Sequence, residues 1–250
     1  MSHVPNRYRY ETHMHTSEGS ACGKSTGAEL ARMYAKAGYA GIIITDHFFN
    51  GNCAVPRDLP WGERVERFCL GYENAAAAGG ELNLSVFLGW EYNYRGTEFL
   101  TYGLDKAFLL AHPDILDWDV VTYLDAIREA GGLISQAHPF RQRPYIEHTR
   151  LFHNHVDAAE VYNASDCDAW NDMACRYVAM NNLMHTAGSD THHVSRSPLS
   201  GLGFDRPLHT IEEFIAAVRA GDGVVLRDIE NPLVPVTAAP SPAADDQAGA

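Results

Sequence analysis

Two histidines separated by one residue stand near the N-terminus of this 250-residue chain. His13 and His15 lie in the stretch ETHMHTSEGS, just after residues that suit an extended strand. Because side chains alternate along an extended chain, both imidazoles should project from the same face, where they can bind one metal ion together. The spacing therefore predicts a metal site and raises the question of which other residues complete it.

Apolar runs farther along the chain also end in residues that can bind metal ions. A lone histidine at the end of a strand is more often an ordinary polar residue. Here, however, five different strand candidates end in an imidazole or a carboxylate, whereas chance would scatter such residues through loops and helices. The predicted ligands at these ends are His13 with His15, His47, Glu91, His138, and Asp190 with His192.

The types of these ligands restrict the metal. Imidazoles and carboxylates with little thiolate suit Zn, Mn or Fe better than copper(I) or an iron–sulfur cluster. The predicted ligands outnumber those that one ion needs, so two or three divalent ions that share Glu91 as a bridge fit the set better. Several ions in one site predict hydrolytic chemistry.

The elements that would position these ligands alternate between strands and helices. Such alternation implies a mostly parallel sheet with right-handed crossovers, and about seven strand candidates suggest a barrel. In such a barrel the chemistry gathers at the carboxyl ends of the strands, where the predicted ligands fall. The predicted helices cover 26–38, 61–78, 120–130, 169–180 and a segment beginning at 210, and the predicted strands cover 8–15, 40–45, 84–92, 98–103, 133–137, 158–162, 183–187 and 223–226.

The composition favours one soluble domain. Hydrophobic residues make up 46% of the chain, which is enough to bury a substantial core. No apolar run approaches the ~20 residues that a membrane span requires, and the N-terminus lacks a signal peptide, so we expect a cytoplasmic protein that does not enter membranes. We predict a single domain over 1–231 and a disordered tail rich in Pro, Ala and Asp over 232–250.

Charge and cysteine content exclude several classes of protein. The net charge of −13 argues against an extended nucleic-acid surface, although a mononucleotide or a short oligonucleotide could enter a metal-lined pocket. The five cysteines are odd in number and show no CxxC spacing, so neither a disulfide framework nor a cysteine zinc site is expected. A small-molecule substrate fits these limits best.

Five motifs, taken in order, resemble those of the PHP (polymerase and histidinol phosphatase) family: HMH at 13–15, TDH at 45–47, GWE at 89–91, AHP at 137–139 and GSDTH at 188–192. The resemblance spans about 8–226. It implies a distorted (β/α)7 TIM-like barrel with up to three metal ions at its C-terminal face. By the same resemblance, His13, His15, Glu91 and Asp190 would hold one ion, Glu91 and His138 a second, and His47 and His192 a third.

Two further ligand positions and the substrate contact need separate predictions. The family usually has an Asp or a His in the loop after the first motif, and this chain offers Glu18, which we predict as the ligand, with Cys22 as the competing candidate. The family also tends to place a His at the start of the strand after Glu91. This chain has Glu98 there, a carboxylate that either binds the metal or leaves that site weaker. Among the loop cations, Arg141 is predicted to contact a substrate phosphate.

Together, the residues and the resemblance predict a metal-dependent phosphoesterase that hydrolyses a small phosphorylated metabolite or nucleotide. A hydroxide that bridges two ions would attack phosphorus, and His192 would protonate the leaving alcohol. Two alternatives stay open. An amidohydrolase-like enzyme would use the same ions on a carbonyl substrate, and a noncatalytic metal-binding partner module would use them without catalysis.

Overall fold

A computed structural model of the chain describes residues 8–234 and shows a mixed α/β fold. The predicted tail lies almost wholly outside these residues. The described strands are β1 (Tyr8–Glu11), β2 (Tyr39–Ile44), β3 (Ser85–Tyr94), β4 (Thr97–Tyr102), β5 (Leu133–Gln136), β6 (Ala158–Asn163), β7 (Met184–Gly188), β8 (Leu199–Phe204) and β9 (Val224–Ile229). The described helices are α1 (Gly27–Lys36), α2 (Trp61–Phe68), α3 (Leu70–Leu82), α4 (Lys106–Ala111), α5 (Val120–Glu129), α6 (Asp168–Asn181) and α7 (Ile211–Ala220).

All nine strands belong to one sheet that nearly closes into a barrel. Its order is β7-β6-β5-β4-β3-β2-β1-β8-β9. The two outermost strands approach each other, since a ring nitrogen of His185 in β7 lies 2.9 Å from the carbonyl oxygen of Gly223, directly before β9. The antiparallel pairings of β4 and β8 with their neighbours mean that these two strands run opposite to the other seven.

The prediction of mostly parallel pairing is wrong for half of the strand pairs. β1–β2, β2–β3, β5–β6 and β6–β7 are parallel, but β1–β8, β3–β4, β4–β5 and β8–β9 are antiparallel. β3 and β4 form a hairpin whose loop, Arg95-Gly96, has φ angles of 53° and 83°. A two-residue loop in this conformation reverses the chain, whereas a parallel neighbour needs a long crossover. The described residues thus form a mixed sheet, not a strict sevenfold alternation.

One apolar cluster draws side chains from every strand and therefore marks the inside of the barrel. In β2, Ile43 belongs to this cluster, whereas Ile42 and Ile44 pack with helices on the outer face. The split follows from the period-2 alternation of a strand covered on both faces. The strand residues of the inner cluster are Tyr10, Ile43, Phe87, Leu100, Tyr102, Leu133, Ala158, Tyr162, Ala187, Leu202 and Phe204, with Val225 at its edge.

The first helix has the predicted start. Thr26 and Glu29 form the expected capping box, in which the Glu29 carboxylate accepts from the Thr26 backbone N–H at 2.8 Å and Thr26 Oγ1 accepts from the Glu29 N–H at 3.3 Å. These bonds satisfy N–H groups that the helix itself leaves unpaired. The helices predicted near 120–130, 169–180 and 210 are confirmed, with ends shifted by one or two residues.

The single helix predicted over 61–78 is two helices. They meet at Cys69, whose ψ of −9° departs from the α-helical value of about −42°. The second helix also continues past the predicted stop at Gly79 and ends at Asn83, which adopts the left-handed conformation. Gly79 instead provides space, since a Cβ there would collide with Val86 and the Leu84 carbonyl oxygen. Its role is packing, not termination.

The sequence pattern missed α4 and β8. The strand β8 reads LSGLGF, and its two glycines and one serine hide a segment that is buried throughout. Gly201 has a φ of 144° and lies so close to the Tyr10 carbonyl oxygen that a side chain could not fit. None of the described helices is long and apolar enough to cross a membrane.

Candidate metal centre

Seven predicted ligands lie together at one end of the barrel, where the codirectional strands end. Six of them follow the last residue of β1, β2, β5 or β7 by two to four positions, and the seventh lies inside β3. Because β3 continues into the hairpin with β4, its ligand is carried by the strand itself. The seven are His13, His15, His47, Glu91, His138, Asp190 and His192.

The two histidines of the first motif point at one pair of carboxylates. Their Nε2 atoms lie 3.3 Å apart. Asp190 Oδ1 lies 3.2 Å from Nε2 of His15 and 3.6 Å from Nε2 of His13. Glu91 Oε1 lies 3.2 Å from Nε2 of His13. Four ligand atoms thus surround one small volume, as the chelation prediction requires.

Glu91 lies at the centre of the whole arrangement. Its Oε1 is also 3.2 Å from His138 Nε2, and its Oε2 is 2.8 Å from His47 Nδ1. Both oxygens of one carboxylate are therefore shared among different histidines. This is the geometry of a bridging carboxylate between neighbouring ions.

A second group of imidazoles lies beside the first. His15, His47 and His192 each offer a nitrogen within 4.8 Å of the others. The ring of His15 stacks with both of the others, with ring centroids 4.3 Å from His47 and 4.4 Å from His192. Such a group can hold a further ion, since imidazole suits Zn, Fe and related metals.

Two buried atoms of the centre have no hydrogen-bond partner among the described residues. They are His47 Nδ1 and Glu91 Oε2, which lie 2.8 Å apart but outside hydrogen-bond geometry. Buried polar atoms are rarely left unpaired, because desolvation without a partner costs about 1–3 kcal/mol. A cation bound by both atoms would remove that cost. The residues therefore fit a metal centre.

Two ligand candidates adopt strained backbone conformations. His138 has a φ of 27° and Asp190 a φ of 53°. Positive φ is uncommon for residues other than glycine and costs about 1–3 kcal/mol, and such strain concentrates at functional sites. The left-handed turn at each position directs the chain away from the sheet directly after its strand.

Hydrogen bonds from one ring nitrogen fix the orientation of three histidines. Nδ1 of His13 donates to Glu160 Oε1 at 3.0 Å, and Nδ1 of His192 donates to the Asp190 carbonyl oxygen at 2.9 Å. Nδ1 of His15 lies 3.2 Å from Ser20 Oγ, which accepts because its own proton goes to Asp46. In each case Nε2 is left for a metal ion.

Glu160 was missed by the sequence reasoning, although it is fully buried in β6 beneath the ligands. Besides His13, it accepts from the His138 backbone N–H at 3.0 Å and from Asn163 Nδ2 at 2.9 Å. It thereby links two ligands from different strands. Its position inside the strand AAEVYN, flanked by small and apolar residues, is the signal that could have found it, since a charge inside a buried strand needs a partner.

Glu11 anchors the first motif from below. Its carboxylate accepts from the backbone N–H groups of Thr12, His13 and Ser189, at 2.9 to 3.0 Å, and from the hydroxyls of Ser189 and Tyr34. Burial raises the pKa of Glu11 to about 7, even though these hydrogen bonds oppose the shift. The segment that carries His13 is therefore held by a buried carboxylate whose two oxygens both accept hydrogen bonds.

Asp46 holds the loop after the first motif. It accepts from Thr16 N at 2.6 Å, Thr16 Oγ1 at 2.7 Å and Ser20 Oγ at 2.7 Å. Ser20 Oγ in turn accepts from the His47 backbone N–H at 2.9 Å. A side chain at Gly19 would collide with the Asp46 carboxylate, so the close approach requires glycine.

Charges within the centre oppose the effect of burial on its histidines. Burial lowers the pKa of His13, but the charges of Glu160, Asp190 and Glu91 outweigh it and hold the pKa well above its usual value. His47 behaves in the same way because of Glu91. For His15, burial and the charge of His47 lower the pKa well below its usual value, which leaves a neutral imidazole ready to bind metal.

The carboxylates respond in two different ways. Burial raises the pKa of Glu91 and of Asp190, but the charge of His13, with His47 for the first and Arg141 for the second, outweighs burial and holds both values well below normal. For Glu98, burial and the charge of Glu91 raise the pKa. The charges of His138 and His47 oppose this shift without outweighing it, and a bound cation would relieve the repulsion between the two carboxylates.

The structure places Glu18 outside the centre. Its carboxylate accepts from the backbone N–H of Gly27 at 3.1 and 3.2 Å and from Asn74 Nδ2 at 3.0 Å. Gly27 is the first residue of α1, where a carboxylate stabilises the positive helix end. Because the Glu18 carboxylate is bonded to the first residue of α1 and to Asn74, we correct the prediction that it is a ligand. The sequence shows its distance from His15 along the chain but not how the loop turns.

Cys22 and Glu98, left open by the sequence, both face the centre. Cys22 lines the cavity together with His192 and His47. Burial raises the pKa of its thiol, but the interactions with these two imidazoles outweigh burial and lower the pKa to about 6. Glu98 lies 3.5 Å from His138 Nε2 and 3.7 Å from His47 Nδ1. With His47 and Glu91 it forms another group of ligand atoms.

Arg141 is nearly buried at the wall of the centre. Its Nε donates to Asp166 at 2.7 Å, and its Nη1 lies 2.8 Å from Asp190 Oδ2. Burial lowers the pKa of the guanidinium, but the charges of Asp190 and Asp166 outweigh burial and raise it. Its Nη2 is buried without a hydrogen-bond partner among the described residues. One N–H group therefore stays free for a ligand.

The centre opens into a cavity of about 660 Å³. Besides the ligand candidates, its wall contains Asn50, Asn93, Arg141, Arg143 and Tyr145. The wall thus combines amides, guanidinium groups and one aromatic ring around the carboxylates and imidazoles. A space of this size admits a small molecule with an anionic group.

The histidines without a motif lie elsewhere. His193 is exposed and bonds to Ser195 beside it. His112 bonds to the Phe108 carbonyl oxygen within its own helix end, at 2.7 Å. Both side chains therefore make ordinary polar contacts with neighbouring residues.

Solved structures share this fold. A two-domain protein from Bacteroides vulgatus, described as containing a predicted PHP-like metal-dependent phosphoesterase, aligns with a TM-score of 0.70 at 14% identity over 90% of this chain and 66% of that chain. A protein from Bifidobacterium adolescentis, assigned by inference as a metal-dependent phosphoesterase, aligns with a TM-score of 0.55 at 16% identity over 86% and 97%. The lesion-specific endonuclease EndoQ from Pyrococcus furiosus aligns with a TM-score of 0.55 at 14% identity over 88% and 57%.

Neither a protein family model nor a curated protein matches this sequence. At 14 to 16% identity, the three structures establish a common fold and no more. The chain spans less than two thirds of both the Bacteroides protein and the endonuclease. The predicted resemblance to PHP proteins is therefore confirmed at the level of the fold.

Proposed function

We propose that this chain is a metal-dependent phosphoesterase that hydrolyses a small phosphorylated metabolite or nucleotide. The observation that carries the proposal is the convergence of imidazoles from the ends of β1, β2 and β5 on the two oxygens of Glu91 in β3. Asp190, which follows β7, lies beside the imidazoles of the first motif. The same arrangement supports two or three divalent ions, of which Zn, Mn and Fe suit the donors. The fold shared with PHP-like phosphoesterases agrees with this reading.

The ligand sets follow the geometry. His13, His15 and Asp190 would hold one ion. His138 would hold a second with Glu98, which lies 3.5 Å from it, and Glu91 would serve both ions because it contacts His13 and His138. His47 and His192 would hold a third. Ions bound there would supply Lewis acidity toward phosphate and lower the pKa of a coordinated water.

Arg141 would bind the substrate phosphate. Two of its nitrogens are occupied by Asp166 and Asp190, so the guanidinium cannot rotate freely, and its unpartnered Nη2 is the donor that remains. A fixed donor of this kind can stabilise the charge that develops on a phosphoryl oxygen in the transition state. Because Arg141 also contacts the carboxylate of Asp190, the substrate contact and the metal ligand would be held next to each other.

His192 has one free nitrogen for two assigned roles. Its Nδ1 donates to the Asp190 carbonyl oxygen, so only Nε2 can bind an ion or give a proton to the leaving alcohol. Burial lowers the pKa of His192, but its bond to Cys22 and the charge of Asp190 outweigh burial and raise it. A raised pKa suits a proton donor at neutral pH. His192 therefore acts as the proton donor only when its Nε2 is not bound to an ion.

The size and charge of the chain favour a small substrate. The net charge of −13 opposes binding along an extended nucleic acid, and the cavity is small. The endonuclease with the same fold acts on nucleic acid, so a short oligonucleotide belongs in any substrate panel. A single domain over 1–231 is part of this proposal.

Hydrolysis of bis-p-nitrophenyl phosphate, p-nitrophenyl phosphate, a metabolite panel and a short oligonucleotide tests the proposal. The chain is loaded with Mn, Zn or Fe, and metal content is counted in the same samples. We expect phosphate release that depends on metal, with two or three ions per chain.

In Arg141→Gln, the KM should rise while the metal content is unchanged, because a substrate contact is lost and the ligands are kept.

Bound metal without hydrolysis of any phosphoester would overturn the proposal. Hydrolysis of amide or lactone substrates would then identify the amidohydrolase-like alternative, since a metal-polarised carbonyl needs no guanidinium.

The matched control for Arg141→Gln is Arg219→Gln. Arg219 donates to the Gly132 carbonyl oxygen at 3.1 Å, away from the cavity, so its loss should leave the KM unchanged.

A further inference from the structure

One cysteine differs from the others in its surroundings. Among the described residues, Cys22 is the cysteine that lines the central cavity. Cys53 accepts a hydrogen bond from the Val55 N–H, Cys69 is buried in an apolar cluster, and Cys175 donates to the Val161 carbonyl oxygen. Only the first of these thiols has imidazoles as its neighbours.

The loop that carries Cys22 is bonded on both sides of it. The Ala21 N–H donates to the Asn52 carbonyl oxygen at 2.9 Å, and the Lys24 N–H donates to the His192 carbonyl oxygen at 2.8 Å. The Gly23 N–H also donates to the Ser20 carbonyl oxygen at 2.9 Å. The thiol is therefore held in place beside His192, and it does not sit at the tip of a free loop.

The imidazoles beside Cys22 still need further ligands. His15, His47 and His192 bring nitrogens within 4.8 Å of one another, but His15 Nε2 also faces Asp190 and His13. If His15 serves the neighbouring ion, His47 and His192 are left as two nitrogens for the third ion. A tetrahedral ion then lacks a protein ligand on the side where Cys22 lies.

We propose that the Cys22 sulfur is a ligand of the ion held by His47 and His192, and that it makes this position selective for Zn²⁺ over Mn²⁺. The inference rests on the metal centre of the proposed function and goes beyond it by assigning one ligand and one metal. Sulfur is a soft donor that favours Zn²⁺, whereas Mn²⁺ prefers carboxylate and water.

The opposite side of the centre has the contrary character. Glu98 and Glu91 present oxygens beside His138, and the Glu98 carboxylate is oriented by Asn93 Nδ2 at 3.0 Å. An oxygen-rich set of this kind suits a harder ion such as Mn²⁺. The two sides of the centre thus differ in ligand hardness, with a sulfur on one side and carboxylate oxygens on the other.

Cobalt substitution tests the ligand directly. The metal-stripped protein is titrated with Co²⁺, because thiolate ligation gives an intense near-ultraviolet charge-transfer band that imidazole and carboxylate do not give. We expect this band in the unsubstituted chain and its loss in Cys22→Ser. The visible ligand-field bands should persist in the variant, since the remaining ligands still hold cobalt.

The matched control is Cys53→Ser. This cysteine is half-buried on the segment that pairs with Ser20, but it does not line the cavity, so the charge-transfer band should be retained. Cobalt bound with ligand-field bands but without a thiolate band in the unsubstituted chain would overturn this inference alone. Failure to bind cobalt at all would overturn the metal centre together with it.

Metal competition tests the selectivity. The unsubstituted chain and Cys22→Asp are equilibrated with equal concentrations of Zn²⁺ and Mn²⁺ and the bound metals are counted. Because nitrogen and oxygen ligands also bind Zn²⁺ more tightly than Mn²⁺, the competition is repeated at increasing excess of Mn²⁺, and we expect the unsubstituted protein to retain one Zn²⁺ per chain at an excess that removes it from the variant. Identical metal content in the two proteins would contradict the assigned selectivity.

Discussion

The inside of the barrel changes character over a few residues along each strand. In β5, Leu133 lies in the apolar interior, and five positions later His138 faces Glu91. In β7, Ala187 is part of the same apolar cluster, and Asp190 stands three positions farther along. One set of strands thus carries an apolar middle and a charged end.

The two regions have opposite energetic roles. Burial of apolar surface in the middle stabilises the fold by roughly 25 cal/mol per Å². At the charged end, buried ionised groups cost free energy unless they are paired, and a partly paired network is worse than an apolar core. We infer that the barrel middle carries the stability and that the charged end carries function, stabilised by bound cations.

The sharpest test of this division is His13→Ala. The variant should lose metal-dependent turnover by more than the ~10–100-fold that mutating an outer partner of a ligand costs, because a primary ligand is removed. The fold should persist, since His13 belongs to the charged end. Activity, metal content and far-ultraviolet circular dichroism are the measurements. His112→Ala serves as the control, and undiminished turnover in His13→Ala would exclude the assigned site.

The opposite change is Leu133→Ala in the barrel middle. Removal of this fully buried side chain should lower the free energy of unfolding by about 2–5 kcal/mol, as lost burial and a cavity add up. Urea unfolding measures the loss. The folded fraction at low temperature should still bind its full complement of metal. A loss of metal in folded protein would show that the two regions are coupled.

Glu160→Gln tests the buried carboxylate that accepts hydrogen bonds from the His13 ring and from the His138 backbone N–H. The change keeps the size of the side chain but removes the charge that holds His13 Nδ1, so metal affinity should fall about 10–100-fold. Calorimetric titration with Zn²⁺ measures the affinity. Unchanged affinity would mean that the carboxylate serves only the fold.

The pH dependence of metal binding tests whether metal ions compete with protons for the imidazoles of the charged end. In the metal-free protein, neighbouring carboxylates hold the pKa values of His13 and His47 well above normal, so protons compete for both rings more strongly than for a free imidazole. An ion must displace these protons, and the apparent affinity should therefore rise with pH, by about tenfold per unit for each proton. Zn²⁺ titrations from pH 6 to 8 and proton release in weak buffer measure it. Equal affinity across this range would contradict the shifts.

The smallest effect is expected for Glu18→Gln. This carboxylate caps α1, and its loss should lower the free energy of unfolding by about 0.3–1 kcal/mol. Metal content and affinity should stay unchanged, which also makes the variant a control for Glu160→Gln. A drop in bound metal would restore Glu18 as a ligand and overturn its assignment to the helix.

Much of the charged end could be predicted from the chain itself. His47 and His138 each follow an apolar run, and His13 follows residues that suit an extended strand; the ends of such strands meet at one edge of a sheet. Where the pattern failed, the cause was local. Glycines concealed β8, and a small change of backbone angle at Cys69 divided one predicted helix into two.

The conformations of the loops could not be predicted from the sequence pattern. Glu18 and Cys22 stand four positions apart on one loop, yet the first caps a helix and the second faces His192. Only the hydrogen bonds of that loop, to Asp46 and to the segment near Asn52, decide which side chain turns inward. Sequence spacing contains no information about such long-range contacts.

The sequence alone determined the types of ligand, the strand ends that carry most of them and the barrel-like class of the fold, because these depend on composition and on the period of apolar residues. The tertiary structure decided the direction of β4 and β8, the different placements of Glu18 and Cys22 and the supporting role of Glu160. Each of these depends on contacts between residues far apart in the chain, which form only when the strands assemble side by side.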